Sequence, residues 1–239
     1  MSMPGMPVPL PRKRVIAYID GFNLYYGLKV SDWRRFLWLD LSALAKSLIL
    51  QDQDLVRTKY FTSRIVSPAA KQKRQSIYLE ALESHCGDRL QMYFGKYQHD
   101  PWQCNSCGAI EHVPSEKKTD VNLAVEVMTD AFSDAFDTCL IMTADSDLVP
   151  PMHAVRRLFP SKRIVVAFPP QRHSIEVQHA AHSSFTIGRA KFSQAQIPDI
   201  VIKADGTKLE RPAKWFPAQT GFGGALKAAL DTSTAKSID

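Results

Sequence analysis

Residues 138–147 read TCLIMTADSD, a short apolar run that ends on two aspartates separated by one serine. A run this short and this apolar predicts a buried strand, and Asp145 and Asp147 fall where that strand ends. Residues 15–21 repeat the arrangement: VIAYI is a β-rich apolar run closed by Asp20-Gly21. Around these two anchors the pattern alternates. Residues 41–50 have helical spacing, and 55–62 form a second strand. Pro68 opens a basic helix to about Ser84, and 90–94 form a third strand. Residues 120–132 predict an amphipathic helix with Val121, Ala124, Val125, Met128 and Phe132 on one face. Residues 151–159 are helical, and 163–168 form another buried strand. Strands alternating with helices imply an α/β domain whose parallel sheet is covered on both faces.

The chain has 239 residues, which suits one such domain with extensions. A hydrophobic content of 45% is enough for a core that needs neither disulfide nor metal to fold. No apolar stretch approaches the roughly 20 residues of a membrane span, so no membrane partner is expected. Residues 1–14 are Pro-rich, then basic, and lack the apolar core of a signal peptide. They read as a flexible segment before a domain at 15–192. Residues 193–239 read as a C-terminal extension, mobile from about residue 220. Four cysteines, two of them in one CxxC, make a disulfide framework improbable and place the chain in a reducing cytoplasm. A net charge of +6 and a pI of about 9.1 are compatible with nucleic acid.

The acidic residues carry the chemistry. In an open parallel sheet the carboxyl ends of the strands line one crevice, where ligands bind. Asp20, Asp145 and Asp147 therefore reach one edge, and Asp120 joins them if its helix begins there. Each has an ordinary reading: Asp20 in a turn, Asp120, Asp145 and Asp147 as helix caps. Together they point to a site. Two carboxylates about 4 Å apart repel by roughly 4 kcal/mol at an effective dielectric near ~20. Converging carboxylates need a cation or a proton. All-oxygen ligation favours Mg2+, Mn2+ or Ca2+ over zinc. Such a cation activates water and stabilises phosphoryl displacement. Thr143 and Ser146 are placed to add hydrogen bonds, and Asn23 to orient a ligand or phosphate.

Three stretches carry a family resemblance: DGFNLYYG (20–27), EKKTDVNLAVEVMTDAF (116–132) and TADSDLVPPMHAVRRL (143–158). In content, order and spacing they resemble the signatures of NYN-domain proteins, the LabA-like branch of the PIN-like nuclease superfamily, over about residues 15–217. The resemblance implies a Rossmann-like PIN fold with a central, mainly parallel sheet flanked by helices. It implies an Mg2+ or Mn2+ site and endoribonuclease activity on RNA. The family's catalytic, metal-holding acids carry over onto Asp20, Asp120, Asp145 and Asp147, with Asn23 beside them. A regulatory RNA-binding protein with a weak site is the first alternative. A metal-dependent phosphatase is the second, and it fits poorly because Gly21 and Phe22 follow Asp20 where a phosphatase carries a DxD.

Basic side chains near these motifs are the candidate phosphate contacts. Lys71, Lys73 and Arg74 open the helix after the second strand, where helix N-termini favour anions. Lys118 precedes Asp120, and Ser146 sits between the two later aspartates. Arg64, Arg156 and Arg157 are further candidates, and Tyr25, Tyr26 and Trp33 offer rings for base stacking. Residues 99–114 are rich in Cys, His, Pro and Gly and read as a loop. His99, Cys104, Cys107 and His112 supply a Cys2His2 set for structural zinc. Two free thiols, or ligands shared across a homodimer, are the other readings.

Overall fold

A computed structural model of the protein describes residues 11–216, except for the side chains of residues 97–100 and 111–116. Residues 1–10 of the expected flexible segment 1–14 and the expected mobile tail from about residue 220 lie outside the described residues, whereas Lys13 and Arg14 already belong to the first strand. The first half runs β1 (Lys13–Asp20), α1 (Gly21–Val30), α2 (Leu41–Leu48), β2 (Gln53–Thr62), α3 (Ala69–Cys86) and β3 (Leu90–Phe94). A hairpin follows, β4 (Lys96–Gln103) and β5 (Ile110–Lys117), then α4 (Thr119–Phe132), β6 (Thr138–Met142), α5 (Val149–Leu158) and β7 (Arg163–Phe168). The chain ends through α6 (Ile175–Ala180), β8 (Ser183–Thr186), α7 (Arg189–Gln194), β9 (Ile200–Ile202) and β10 (Lys208–Glu210). No helix among the described residues is long and apolar enough to cross a membrane.

Six strands form one all-parallel sheet in the order β3-β2-β1-β6-β7-β8. The chain winds outward in both directions from β1 and β6, so their carboxyl ends flank the switch point where such sheets bind ligands. Both central strands are buried on two faces, which is why they read as continuous apolar runs rather than alternating ones. Val15, Ala17 and Ile19 of β1 pack with α1, α2 and α3 on one side. Ile16 and Tyr18 pack with α4, α5 and α6 on the other. The α/β architecture with a parallel sheet flanked by helices is the one expected.

Three local expectations change. The 99–114 stretch is not a loop: its backbone pairs as the antiparallel β4–β5 hairpin, with the CxxC at the tip. Helix α4 is amphipathic, but its buried face is rotated from the expected one, of which only Ala124 and Met128 pack, partly buried, against the core. Leu123, Val127 and Ala131 are buried, whereas Val121, Val125 and Phe132 are 64%, 55% and 68% exposed. That buried face also carries Glu126 and Asp130, which meet the buried Lys59 of β2 at 2.7 and 2.6 Å. Finally, the chain keeps packing after Phe192. Ile197, Val201, Leu209 and Trp215 join the core beneath α2 and α3. The indole of Trp38 donates to the Pro198 carbonyl at 2.8 Å.

Candidate metal centre

Asp20 ends β1 and caps α1. Its Oδ1 accepts the backbone N–H groups of Phe22 (3.1 Å) and Asn23 (3.0 Å). Its Oδ2 accepts the Asn23 side-chain amide (2.6 Å) and the Thr143 hydroxyl (2.9 Å). The side chain is almost wholly buried, at 2% exposure. Gly21 makes this close seat available: a Cβ there would stand 2.7 Å from the Phe61 carbonyl oxygen and 2.8 Å from the Tyr60 ring.

Asp145 follows β6. Its N–H donates to Thr143 Oγ1 at 3.0 Å, and its Oδ1 accepts the Asp147 N–H at 3.0 Å. The Thr143 hydroxyl thus ties both acids together, donating to one and accepting from the backbone of the other. Asp120 lies in the first turn of α4, two residues after Lys118, whose φ of 76° is left-handed. A lysine in that conformation costs on the order of 1 kcal/mol, and such strain clusters at functional sites. The turn aims the start of α4 at the sheet edge.

Carboxylate oxygens of Asp20, Asp120 and Asp145 all lie within 4.8 Å of one another. Burial raises the pKa of Asp20, and the charge of Asp145 pushes the same way, against the hydrogen bonds from Asn23 and Thr143. A divalent cation removes that conflict, because it neutralises the converging charges in place. An all-carboxylate set suits a hard oxygen-seeking ion such as Mg2+ or Mn2+. The ordinary reading of Asp145 as a cap holds alongside this one, and Asp20, expected in a plain turn, caps α1 instead. Asp120 is not a cap, since the cap position of α4 is Lys118.

The remaining candidates divide. Asp147 and Ser146 are exposed on the short turn after Asp145 and stand apart from the group of three. Asn23 spends its amide on Asp20, so it orients the acid. Lys71 and Arg74 are half-buried and line a cavity beside Asp20, whereas Lys73 is exposed and does not. Lys118 is exposed next to Asp120. Arg156 is tied to the His179 and Ala180 carbonyls, and Arg64 lies over the Phe94 ring. Trp33 packs edge-on against Phe36 and Phe192, so it serves the core. Sequence reasoning missed Lys29, Arg34 and Lys214 on the same cavity. Only Lys29 had a local signal, three residues after Tyr26 on one helix.

At the hairpin tip the N–H groups of Cys107 and Ser106 point at the Cys104 sulfur and hold its thiol below the usual range. Cys104 N–H donates to Ala109 O at 2.8 Å and Gly108 N–H to Cys104 O at 2.9 Å, closing a tight turn. The backbone register sets His99 opposite Pro114 and His112 opposite Pro101. Their side chains lie outside the described residues.

Among known proteins, the chain is 27% identical to the 6-hydroxy-3-succinoylpyridine 3-monooxygenase of Pseudomonas putida. That match covers 60% of this chain and 55% of the relative, so it spans about half the relative's length. A solved structure of a protein of unknown function from Vibrio parahaemolyticus superposes with a TM-score of 0.47 at 16% identity, covering 76% of this chain and 97% of that one. The model of the NYN domain matches residues 14–188, a stretch that contains all three clustered aspartates and, but for Lys13, all six strands of the main sheet, and the chain belongs to the NYN-domain family of the PIN-like superfamily.

Proposed function

We propose that the protein is a metal-dependent endoribonuclease. The observation that carries this reading is the convergence of Asp20, Asp120 and Asp145 at the carboxyl edge of the sheet. Bound Mg2+ or Mn2+ supplies a water of lowered pKa and charge stabilisation for phosphodiester hydrolysis. The chain's own residues do the rest. Asn23 and Thr143 fix the Asp20 carboxylate, Asp145 is turned by the Asp147 N–H, and Lys118, Lys71 and Arg74 attract the RNA backbone toward the edge. Asp147 and Ser146, exposed beside Asp145, are the outer contacts of the same site.

Labelled RNA incubated with Mn2+ should be cut, and EDTA should stop the cutting. Asp145→Asn keeps the shape, removes one charge and should lower cleavage by at least about 100-fold while RNA binding persists. Equal cleavage by wild type and variant would assign the activity elsewhere.

A second reading is favoured by the aromatic, cation-lined cavity beside the triad: the same edge would act on a free aromatic acid, the class of compound named for the Pseudomonas putida relative. For the hairpin we infer a structural zinc held by Cys104, Cys107, His99 and His112, supported by the N–H groups trained on Cys104. Protein purified without chelators should carry about one equivalent of zinc, and Cys104→Ser should lose it. Zinc-free wild type by metal analysis would end that assignment.

A further inference from the structure

One cavity, of about 450 Å3, opens beside the aspartates. Gly21 and Phe22, the two residues after Asp20, form part of its wall, and the Tyr60 hydroxyl stands against Gly21. The volume falls within the roughly 300–1,000 Å3 typical of small-molecule sites. Its floor is apolar, with Leu37, Leu39 and Leu41 from the approach to α2. Rings surround that floor: Tyr25 and Tyr26 of α1, Tyr78 of α3, and Trp215 from the C-terminal segment.

The rim is cationic. Lys29, Arg34, Lys71, Arg74 and Lys214 all line the cavity, and among the described residues no carboxylate does. None of the five forms an ion pair with a carboxylate among the described residues. Cations gathered around one opening repel each other, and an anion in the opening reverses the sign of that interaction. Tyr26 is already held by cations, with Lys29 at 5.5 Å and Arg172 at 5.8 Å from its ring centre. A floor and rings that favour a flat apolar body, under a rim that favours negative charge, select a ligand with both features.

We propose that this cavity is a subsite for a planar aromatic ring joined to an anionic group, filled by one nucleotide of the RNA whose backbone passes the aspartates. The nucleotide identity of the occupant rests on the ribonuclease reading; the ring-plus-anion chemistry does not. Stacking on the tyrosines holds the base, and Lys71 and Arg74 hold the phosphate next to it. The subsite thereby sets which phosphodiester faces the aspartates, because the adjoining linkage leaves the cavity past Gly21.

The test is calorimetric titration of the full chain in EDTA, where no turnover occurs, with AMP, adenosine, inorganic phosphate and pyridine-3-carboxylate as probes. AMP should bind at least about ten-fold tighter than adenosine or phosphate alone. Tyr26→Leu and Arg74→Gln, at partly exposed positions, should each weaken AMP by about five-fold or more. Lys46→Gln, an exposed lysine away from the cavity, should leave it unchanged, and circular dichroism should show all three variants folded. AMP binding no tighter than phosphate, or unaltered in both cavity variants, would overturn the proposal. Pyridine-3-carboxylate binding as tightly as AMP would overturn the nucleotide as occupant in favour of a free aromatic acid. Tight AMP binding with no RNA cleaved in Mn2+ removes the nuclease reading and keeps the cavity. Cleavage without AMP binding does the opposite.

Discussion

Thr143 shows how much one hydroxyl can organise. It is fully buried, donates to Asp20 Oδ2 at 2.9 Å and accepts the Asp145 N–H at 3.0 Å. Removing it takes a hydrogen bond from a buried carboxylate and strands a backbone donor, a combination worth about 1–3 kcal/mol. More to the point, both acids lose the contact that fixes their orientation. Partners of this kind typically change metal affinity by about 10–100-fold. We therefore expect Thr143→Val to bind Mn2+ about 10-fold more weakly by calorimetry, and Thr143→Ser to restore most of the loss. Unchanged Mn2+ affinity in the valine variant would show that the aspartates hold themselves in place.

At the level of the element, α4 is the part whose placement matters most, because it alone carries Asp120 to the edge. Its apolar contacts are supplemented by a buried polar network. Lys59 reaches Glu126 and Asp130, the Tyr18 hydroxyl donates to Asp130 at 2.6 Å, and the Tyr93 hydroxyl donates to Glu126 at 2.7 Å. Burial opposes ionisation of Glu126, yet the bonds from Lys59 and Tyr93 hold its carboxyl below the usual range. Burial and the Asp130 carboxylate push the Tyr18 phenol far above its ordinary value, so it stays a donor. Lys59→Met would leave two partly buried carboxylates facing each other without a cation. Breaking such a group costs about 3–5 kcal/mol, and a urea melt should show a loss near the lower end, since Glu126 retains some solvent. A loss below about 1 kcal/mol would mean that apolar packing alone seats the helix.

Across the whole molecule, the chain closes on itself: residues after Phe192 return to cover the first helices. Ala195, Ile197, Val201, Leu209 and Trp215 are all less than 9% exposed. The strand-like contact Leu39–Gln196 and the Asp40 N–H to Ala195 O bond (2.8 Å) stitch this segment to the start of α2. Burying five such side chains contributes on the order of 10 kcal/mol, comparable with the roughly 5–15 kcal/mol that holds a typical domain together. A chain ending at Phe192 should therefore fail to give a cooperative thermal transition, and it should lack the Lys214–Trp215 side of the cavity. A sharp melt within a few degrees of the full chain would show that the segment is dispensable.

Much of this architecture is legible in the sequence. Shorter β-rich stretches mark β2 and β3, and apolar runs mark β1, β6 and β7, because strands buried on both faces leave little room for polar residues. The aspartates at their ends read as one site because parallel strands present their carboxyl ends together. Composition could not choose between the two apolar stripes of α4, since the partners of the buried face lie far away in the chain, Lys59 among them at 67 positions from Glu126. The β4–β5 hairpin was hidden by Cys, His, Pro and Gly, residues that local propensity assigns to loops. The C-terminal segment has too few apolar residues per turn to announce itself, and it is buried only because α2 and α3 already offer a surface. The cavity is the extreme case. Tyr26, Arg74 and Trp215 are far apart in sequence, so their convergence is a property of the fold: local pattern reports on neighbours along the chain, and a site made of distant residues exists only once the sheet has brought them together.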